Sequence, residues 1–133
     1  MVKMARRVLG MLVLGTLLSG CQPFKLERTI DMPTKHVHRI DIDAPGREQH
    51  IHVTVDSNGV PINVYIVLDE HATVVADTLQ KDSAKVDTNM VLASQEGKAN
   101  PELQATIPAK KAFSVMLAHP DKNTTVELKI IGK

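Results

Sequence analysis

The chain has 133 residues, enough for one small domain with a hydrophobic core but too few for two such domains. Its 16 Lys and Arg nearly balance its 15 Asp and Glu, so no strongly basic surface argues for a nucleic-acid partner. The chain has two phenylalanines, one tyrosine and no tryptophan, which argues against sugar or single-stranded nucleic-acid sites built on aromatic stacking. The core must therefore be aliphatic, and its many valines and isoleucines favour strands.

The first 20 residues have the layout of an export signal. Three basic residues precede an apolar run at positions 8–18, and the small residues Ser19 and Gly20 follow it. A helix over this run rises only about 16 Å, roughly half the hydrocarbon thickness of a bilayer. The run is therefore too short for a permanent membrane span and predicts a segment that a peptidase removes.

The end of this segment, Leu18-Ser19-Gly20-Cys21, resembles the lipobox of bacterial lipoproteins. The resemblance implies that Cys21 receives a diacylglyceryl thioether, that signal peptidase II cuts before it, and that its new amino group is acylated. Two or three acyl chains anchor a protein durably to a bilayer, whereas one chain binds only marginally. Cys21 is the single cysteine, so it has no partner for an intramolecular disulfide. The alternative is an ordinary signal, or a membrane-anchored helix, with an accidental cysteine.

The residues after the cysteine predict its destination and a short tether. In lipoproteins of the enteric type, aspartate at the next position resembles an inner-membrane retention signal, so Gln22 favours the outer membrane, facing the periplasm. We expect a lipidated N-terminus and tether at residues 21–35, where prolines interrupt any helix, and a β-sandwich domain at residues 36–133. Alternatively, part of the tether docks as an edge strand through its even-numbered apolar residues, which are Leu26, Ile30 and Met32.

The domain opens with a strand and the clearest turn signal of the chain. Residues 36–43 alternate with period two, with Ile40 and Ile42 predicted to point inward. Asn58-Gly59 then separates two alternating segments and has the positive φ preference of a two-residue type I′ turn. A hairpin about this turn brings apolar partners together on one face, and a slip by one residue would oppose each with a polar residue. The predicted pairs are Val55 with Ile62, Val53 with Val64 and Ile51 with Ile66.

The second half of the domain is less regular. Residues 72–85 fit either a strand or one face of a helix, and the pattern leaves this open. Residues 86–93 are predicted to form a short strand, residues 94–101 a polar loop, and residues 103–107 another strand. A second hairpin about the turn at residues 120–123 pairs Leu117 with Val126, Val115 with Leu128 and Phe113 with Ile130.

Two hairpins and three or four further strands predict an all-β fold, a small antiparallel β-sandwich of jelly-roll type. The run from Thr106 to Leu117, the turn after it and Val126–Ile130 resemble the last two strands of jelly-roll sandwiches such as the pre-peptidase C-terminal domain and its Golgi-dynamics relatives. Asn63–Val67 is similar to their central strand. The resemblance implies an accessory or interaction domain, since a fold does not by itself specify a reaction.

Histidines are the main candidates for a site. His36 with His38, and His50 with His52, form two His-x-His pairs whose side chains are expected about 6.5 Å apart on a strand, a spacing that suits Zn or Cu. The predicted faces of the two pairs differ, which argues against one four-histidine site. A smaller metal site at His50 and His52 is one hypothesis, and the other is that both are solvent-facing residues, with His52 opposite Tyr65.

Other acidic and nucleophilic residues make weaker patterns. Asp41 and Asp43 are two possible calcium ligands, but no loop follows that would supply the six or more oxygens calcium needs. Asp56 begins a calcium-loop-like run that lacks the remaining ligands, so it is interpreted as part of the Asn58-Gly59 turn. No Gly-x-Ser-x-Gly nucleophile motif occurs, and the single cysteine is assigned to lipid.

These patterns predict a membrane-anchored envelope lipoprotein that works by binding, without enzymatic activity or a cofactor. Its expected partners are the lipid bilayer, through acylated Cys21, and another envelope protein or part of a secretion or assembly machine, with no nucleic acid. An alternative is a periplasmic lipoprotein that binds a metal or small ligand with the outward face of His50, His52 and Tyr65. A third possibility is a hydrolase whose site has no sequence motif.

Overall fold

The computed structural model describes residues 24–81 and 85–133. Within these ranges the chain forms eight strands, one α-helix and a short 3₁₀ helix at Thr88–Met90. The elements in chain order are β1 (Phe24–Met32), β2 (Val37–Ile42), β3 (Gln49–Asp56), β4 (Pro61–Leu68), α1 (Asp69–Leu79), β5 (Ala93–Ala99), β6 (Glu102–Ile107), β7 (Phe113–Ala118) and β8 (Thr124–Gly132). No helix within them is long and apolar enough to span a membrane.

The strands form two four-stranded antiparallel sheets that pack face to face. Sheet A has the order β1-β8-β3-β6, and sheet B has the order β2-β7-β4-β5. The pairs β1 with β8, β2 with β7, β3 with β6 and β4 with β5 are nested along the chain, which is the jelly-roll arrangement. The predicted all-β fold, a small antiparallel β-sandwich of jelly-roll type, is therefore confirmed.

The main core lies between the inner faces of the two sheets. Ile51, Val53 and Val55 of β3 are fully buried, as are Ile62, Val64 and Ile66 of β4 on the opposite sheet. Each such side chain contributes about 1.5–3 kcal/mol of hydrophobic stabilisation when buried. Further buried residues on these inner faces are Leu103, Ile107, Phe113, Val115, Leu117, Val126, Leu128 and Ile130.

A second apolar cluster lies outside sheet B, where helix α1 covers the sheet. Acidic Asp69 and Glu70 occupy the first turn of the helix, where their negative charges interact favourably with the positive end of the helix dipole. Its apolar face packs on the outward side chains of β4 and β7, so residues 72–79 of the undecided stretch at 72–85 are helical, whereas 82–84 lie outside the described residues. The cluster consists of Tyr65, Val67, Ala72, Val75, Leu79, Met116 and Ala118.

Both predicted hairpins are wrong as strand pairings. Strand β3 pairs with β6 and β8 of sheet A, whereas β4 pairs with β5 and β7 of sheet B. Asn58 and Gly59 do adopt positive φ values of 55° and 78°, but their turn carries the chain from one sheet to the other. Asp56 belongs to this turn, as predicted, because its carboxylate accepts a hydrogen bond from the Asn58 amide at 3.0 Å.

The turn between β7 and β8 also carries the chain from one sheet to the other. β7 pairs with β2 and β4, and β8 pairs with β1 and β3, so the predicted partners Leu117 and Val126 lie in opposite sheets. The physical reason is that alternation specifies which side chains point to the core, and two strands facing each other across a sandwich satisfy it as well as two neighbours in one sheet.

Three further expectations need correction. Residues 24–32 of the predicted tether form edge strand β1, the alternative that the even-numbered apolar residues indicated. Residues 86–92 do not form the predicted strand, and the predicted loop at residues 94–101 contains most of β5. Because β5 is an edge strand with mostly exposed side chains, it needs no apolar alternation.

Leu18-Ser19-Gly20-Cys21 and the signal lie outside the described residues.

Candidate functional site

The two sheets leave an open groove on the side where β1 and β2 are both edge strands. We call this the β1–β2 groove. It forms a cavity of ≈ 730 Å³. Its apolar wall consists of Phe24, Leu26, Ile40 and Ile42, which are half-buried and pack on the edge of the main core.

The groove widens along β1. Met32, next to the turn into β2, is 1 % exposed, and Ile30 is 7 % exposed. Leu26 and Phe24, farther from that turn, are only half-buried. The turn therefore closes one end of the sandwich edge, and the opposite end, where β1 begins, remains open.

The edge of β2 carries backbone groups that are available for hydrogen bonding. The His119 amide donates to the His36 carbonyl at 3.1 Å, which places the even-numbered residues of β2 in hydrogen bonds with β7. Successive residues of a strand direct their backbone groups to opposite sides. The N–H and C=O groups of Val37, Arg39 and Asp41 therefore point away from sheet B, and no residue of the two described ranges bonds them.

The edge of β1 is partly occupied by its own side chain. The hydrogen bonds between His50 and Lys133 direct the odd-numbered residues of β8 toward β3, so its even-numbered residues bond β1. The carbonyl of Glu27 consequently points out of sheet A, and Arg28 Nη1 donates to it at 3.1 Å. Arg28 therefore covers one of the outward backbone groups that an added strand would need. Between the two edges, β2 is the one better suited to pair with another chain.

Arg39 and Asp41 form a charged pair on the outward face of β2. Arg39 Nε donates to Asp41 Oδ1 at 2.7 Å, and Ser114 Oγ donates to the same oxygen at 2.6 Å. The hydrogen bond from Ser114, followed by the bond and charge of Arg39, lowers the pKa of Asp41. Arg39 Nη2 also lies 3.7 Å from Asp69 Oδ1 at the start of α1. The predicted calcium ligand Asp41 is therefore already paired, and Asp43 lies in the wall of the groove.

His50 and His52 lie on the outer face of sheet A, beside a small cavity of ≈ 240 Å³. The two ring nitrogens of His50 lie 3.3 Å from Thr106 Oγ1 and 3.1 Å from Gln104 Oε1. His52 Nε2 lies 3.3 Å from Glu102 Oε2, in a geometry that makes no hydrogen bond. The described parts of the chain contain no group of three His, Cys, Asp or Glu suited to a metal, so the metal site stays a prediction.

The predicted partnership of these histidines with Tyr65 is wrong. His52 is paired with Gln104 and Ile131 in sheet A, whereas Tyr65 lies beneath α1 on the outer face of sheet B. The error follows from the incorrect hairpin, because the predicted register placed β3 and β4 in one sheet. Tyr65 Oη instead donates to Glu96 Oε2 at 2.6 Å, and burial raises the pKa of the phenol.

The other histidine pair belongs to sheet B, close to the turn between β1 and β2. The rings of His36 and His38 have centroids 6.1 Å apart. Burial, followed by the charge of His36, lowers the pKa of His38. The two His-x-His pairs therefore lie on different sheets, in agreement with the argument against one four-histidine site.

The groove was not predicted, because the β1 side of it lies in the stretch whose prolines favoured a tether. Phe24, Leu26 and Arg28 precede the predicted domain boundary at residue 36. The available signal was the alternation of Leu26, Ile30 and Met32. The second wall, Ile40 and Ile42, was predicted as inward-facing, but nothing in the sequence showed that β2 would be an edge strand. Strand order depends on long-range pairing, which local alternation does not specify.

No protein-family model matches the chain, and no curated protein sequence matches it. Solved structures do share its fold. The mitogen from Yersinia pseudotuberculosis is 8% identical with a TM-score of 0.57, over 82% of this chain and 86% of its own. The pre-peptidase C-terminal domain of a Bacillus anthracis collagenase is 11% identical with a TM-score of 0.56, over 80% of this chain and 88% of its own.

A third solved structure is a periplasmic inhibitor of g-type lysozyme from Aeromonas hydrophila. It is 10% identical with a TM-score of 0.51, over 90% of this chain and 93% of its own. At these identities the likeness concerns the fold alone. The pre-peptidase domain is one of the jelly-roll families that the strand pattern resembles.

Proposed function

We propose that this protein is a lipid-anchored, non-catalytic protein-interaction module of the cell envelope, with Cys21 as its acylated residue and the outer membrane, facing the periplasm, as its location. The lipobox resemblance and Gln22 support the anchor and its destination. The described chain begins at Phe24, which lines the groove, and three residues of extended chain span at most about 10 Å. The β1–β2 groove would therefore lie near the membrane surface.

The single observation that supports binding is the open apolar side between two sheet edges. Four half-buried apolar side chains line the groove, and β2 beside it carries three residues with outward backbone groups. Full burial of an exposed apolar side chain contributes about 1.5–3 kcal/mol, so covering one of these half-buried side chains contributes a part of that. A polypeptide in extended conformation is the partner that also satisfies free strand groups. That one protein of this fold is a periplasmic lysozyme inhibitor is compatible with non-catalytic binding of a protein.

The binding surface is tested by light-activated cross-linking in intact cells. A photoreactive amino acid is placed at Leu26, in the groove, in the full-length chain. The matched control carries it at Glu127, which is exposed on the outer face of sheet A. We expect a protein adduct from Leu26 and none from Glu127. Equal adducts from both positions, or none from Leu26, would contradict the assignment of the groove.

The anchor is tested separately with the Cys21→Ala precursor. We expect this variant to remain uncut and without lipid, because the thiol that receives the diacylglyceryl group is missing. Mass spectrometry of the wild-type protein should find its mature N-terminus at Cys21 with acyl chains attached. A mature protein that begins elsewhere, or that fractionates free of membranes, would overturn the anchoring proposal.

A further inference from the structure

We propose that the protein bound on the open side is a second copy of this chain, joined by antiparallel pairing of the two β2 edges around a twofold axis at Ile40. This inference rests on the proposed function in one respect, that the open side binds a protein. It adds the identity of the partner and the register of the contact. The pairing would join two copies of sheet B into one continuous sheet of eight strands.

The charges along β2 favour this register. A new antiparallel pair must join residues whose backbone groups are free, and on β2 these include Arg39 and Asp41. With Ile40 on the axis, Arg39 of each copy lies opposite Asp41 of the other. Both pairs are hydrogen-bonded through the backbone, and both bring opposite charges together on the outward face. Opposite charges across neighbouring strands stabilise a sheet, and like charges destabilise it.

The neighbouring registers lack this complementarity. Moving the axis to residue 39 places Arg39 against Arg39 of the second copy, which opposes two positive charges. Moving it to residue 41 places Asp41 against Asp41, which opposes two negative charges. Arg39 and Asp43 also face each other in that register, but Asp43 lies beyond the end of β2 at Ile42. A register that differs from the proposed one by a single residue would place residues with free backbone groups opposite residues whose backbone groups are already bonded to β7. Self-pairing of β2 therefore has one electrostatically favourable register near its centre.

The inward face of the same pairing is mostly apolar. Ile40 meets Ile40 of the second copy, and His38 meets Ile42. Ile40 and Ile42 are half-buried walls of the β1–β2 groove, so the two groove openings would lie beside each other across the axis. The same pairing at β1 is opposed by Arg28, which occupies the outward carbonyl of Glu27. The free edge of β2 and its half-buried isoleucines are thus covered by one contact.

Disulfide trapping tests the register in the full-length chain in intact cells. Residues that face each other in a non-hydrogen-bonded antiparallel pair have Cα atoms about 4.5 Å apart, within the range of about 4.4–6.8 Å that a disulfide allows. Ile40→Cys should therefore form a covalent dimer on oxidation, seen at twice the chain mass on a non-reducing gel. The wild-type chain, with Cys21 alone, is the background control.

His38→Cys is the matched control on the same strand. In the proposed register the two copies of residue 38 are about 13 Å apart along the strands, so this variant should form about tenfold less covalent dimer than Ile40→Cys. Co-expression of His38→Cys with Ile42→Cys should restore cross-linking between the two different chains. Equal cross-linking of His38→Cys and Ile40→Cys alone would overturn the register.

A charge exchange tests the cause of the pairing. In the Ile40→Cys background, Asp41→Arg places two positive charges opposite each other at both pairs and should reduce the covalent dimer about tenfold. The double variant Arg39→Asp/Asp41→Arg restores opposite charges and should restore the dimer. Both variants lack the hydrogen bond from Ser114 to Asp41, so any effect of its loss on folding is the same in the two. Recovery of the covalent dimer in the double variant would therefore be due to the charges.

The outcomes separate this inference from the proposed function. If Ile40→Cys gives no dimer while the photoreactive residue at Leu26 captures a different protein, the second copy is excluded and the interaction module stands. If neither experiment gives an adduct, both proposals fail. A dimer whose yield does not respond to the charge exchange would overturn the register and its electrostatic basis.

Discussion

The outer faces of the two sheets differ in what covers them. Four outward residues of β4 and β7 in sheet B are buried under α1 and form a second core with the helix, and they are Tyr65, Val67, Met116 and Ala118. The outward residues of β3 and β8 in sheet A include the exposed His50 and Glu127 and the half-exposed His52. The two sheets share one inner core, but sheet A has only that one buried face, whereas sheet B has two.

This difference corresponds to two kinds of sequence. Strand β3 alternates apolar and polar residues, as expected for a strand with one face in water. In β7 all six residues are buried, and in β4 four consecutive residues from Val64 to Val67 are buried. A continuous apolar run indicates that both faces are covered, so β4 and β7 required a further layer, and α1 provides it.

Truncation of the helix-covered face should have the largest effect on stability. Met116→Ala removes a fully buried side chain that packs beneath α1, and we expect a loss of about 2–5 kcal/mol in the free energy of unfolding. Glu127→Ala, on the open face of the other sheet, is expected to change it by less than about 0.5 kcal/mol. Urea denaturation followed by circular dichroism measures both. Equal losses would mean that α1 does not form a core on sheet B.

The sequence could predict faces and turns but not neighbours. Alternation identified the inward residues of six strands, and Asn58-Gly59 identified its turn, because both depend on local backbone preferences. The pairings were wrong because a chain that crosses from one sheet to the other at a turn has the same alternation as a hairpin. The exposed edge strand β5, with Gly97 and mostly polar residues, lacks the apolar signal altogether.

The candidate groove was harder to predict than the fold. Its walls come from the start of β1 and the end of β2, and its existence depends on both strands being edges on the same side. That property follows from the pairing of β1 with β8 and β2 with β7, contacts about 100 and 80 residues apart in the chain. Local sequence signals do not extend over such separations.

Removing one hydrogen bond from the covered face should have an intermediate effect. Tyr65 is 2 % exposed, and its hydroxyl donates to Glu96. Tyr65→Phe keeps the packing but removes the bond, and we expect a loss of about 1–2 kcal/mol in the free energy of unfolding. His50→Ala removes contacts to Thr106 and Gln104 on the open face and should cost less than about 0.5 kcal/mol. Chemical denaturation curves compare the two, and a Tyr65→Phe loss no larger than that of His50→Ala would contradict the expectation.

The smallest expected effect is a change in the titration of Asp41. Ser114, fully buried on the outward side of β7, donates to this carboxylate, and the bond lowers its pKa below the ordinary value of 3.8. A carboxyl whose pKa is lowered by folding stabilises the protein above its ordinary pKa, and this stabilisation is lost as the pH falls through the folded pKa. Ser114→Ala should therefore raise the pKa of Asp41 and shift part of the acid-induced loss of stability to higher pH. Carboxyl NMR titration measures the pKa directly, with Asp56, which accepts only from a backbone amide across the sandwich turn, as the internal control. An unchanged pKa of Asp41 in this variant would show that Arg39, and not the hydrogen bond from Ser114, determines the ionisation of Asp41.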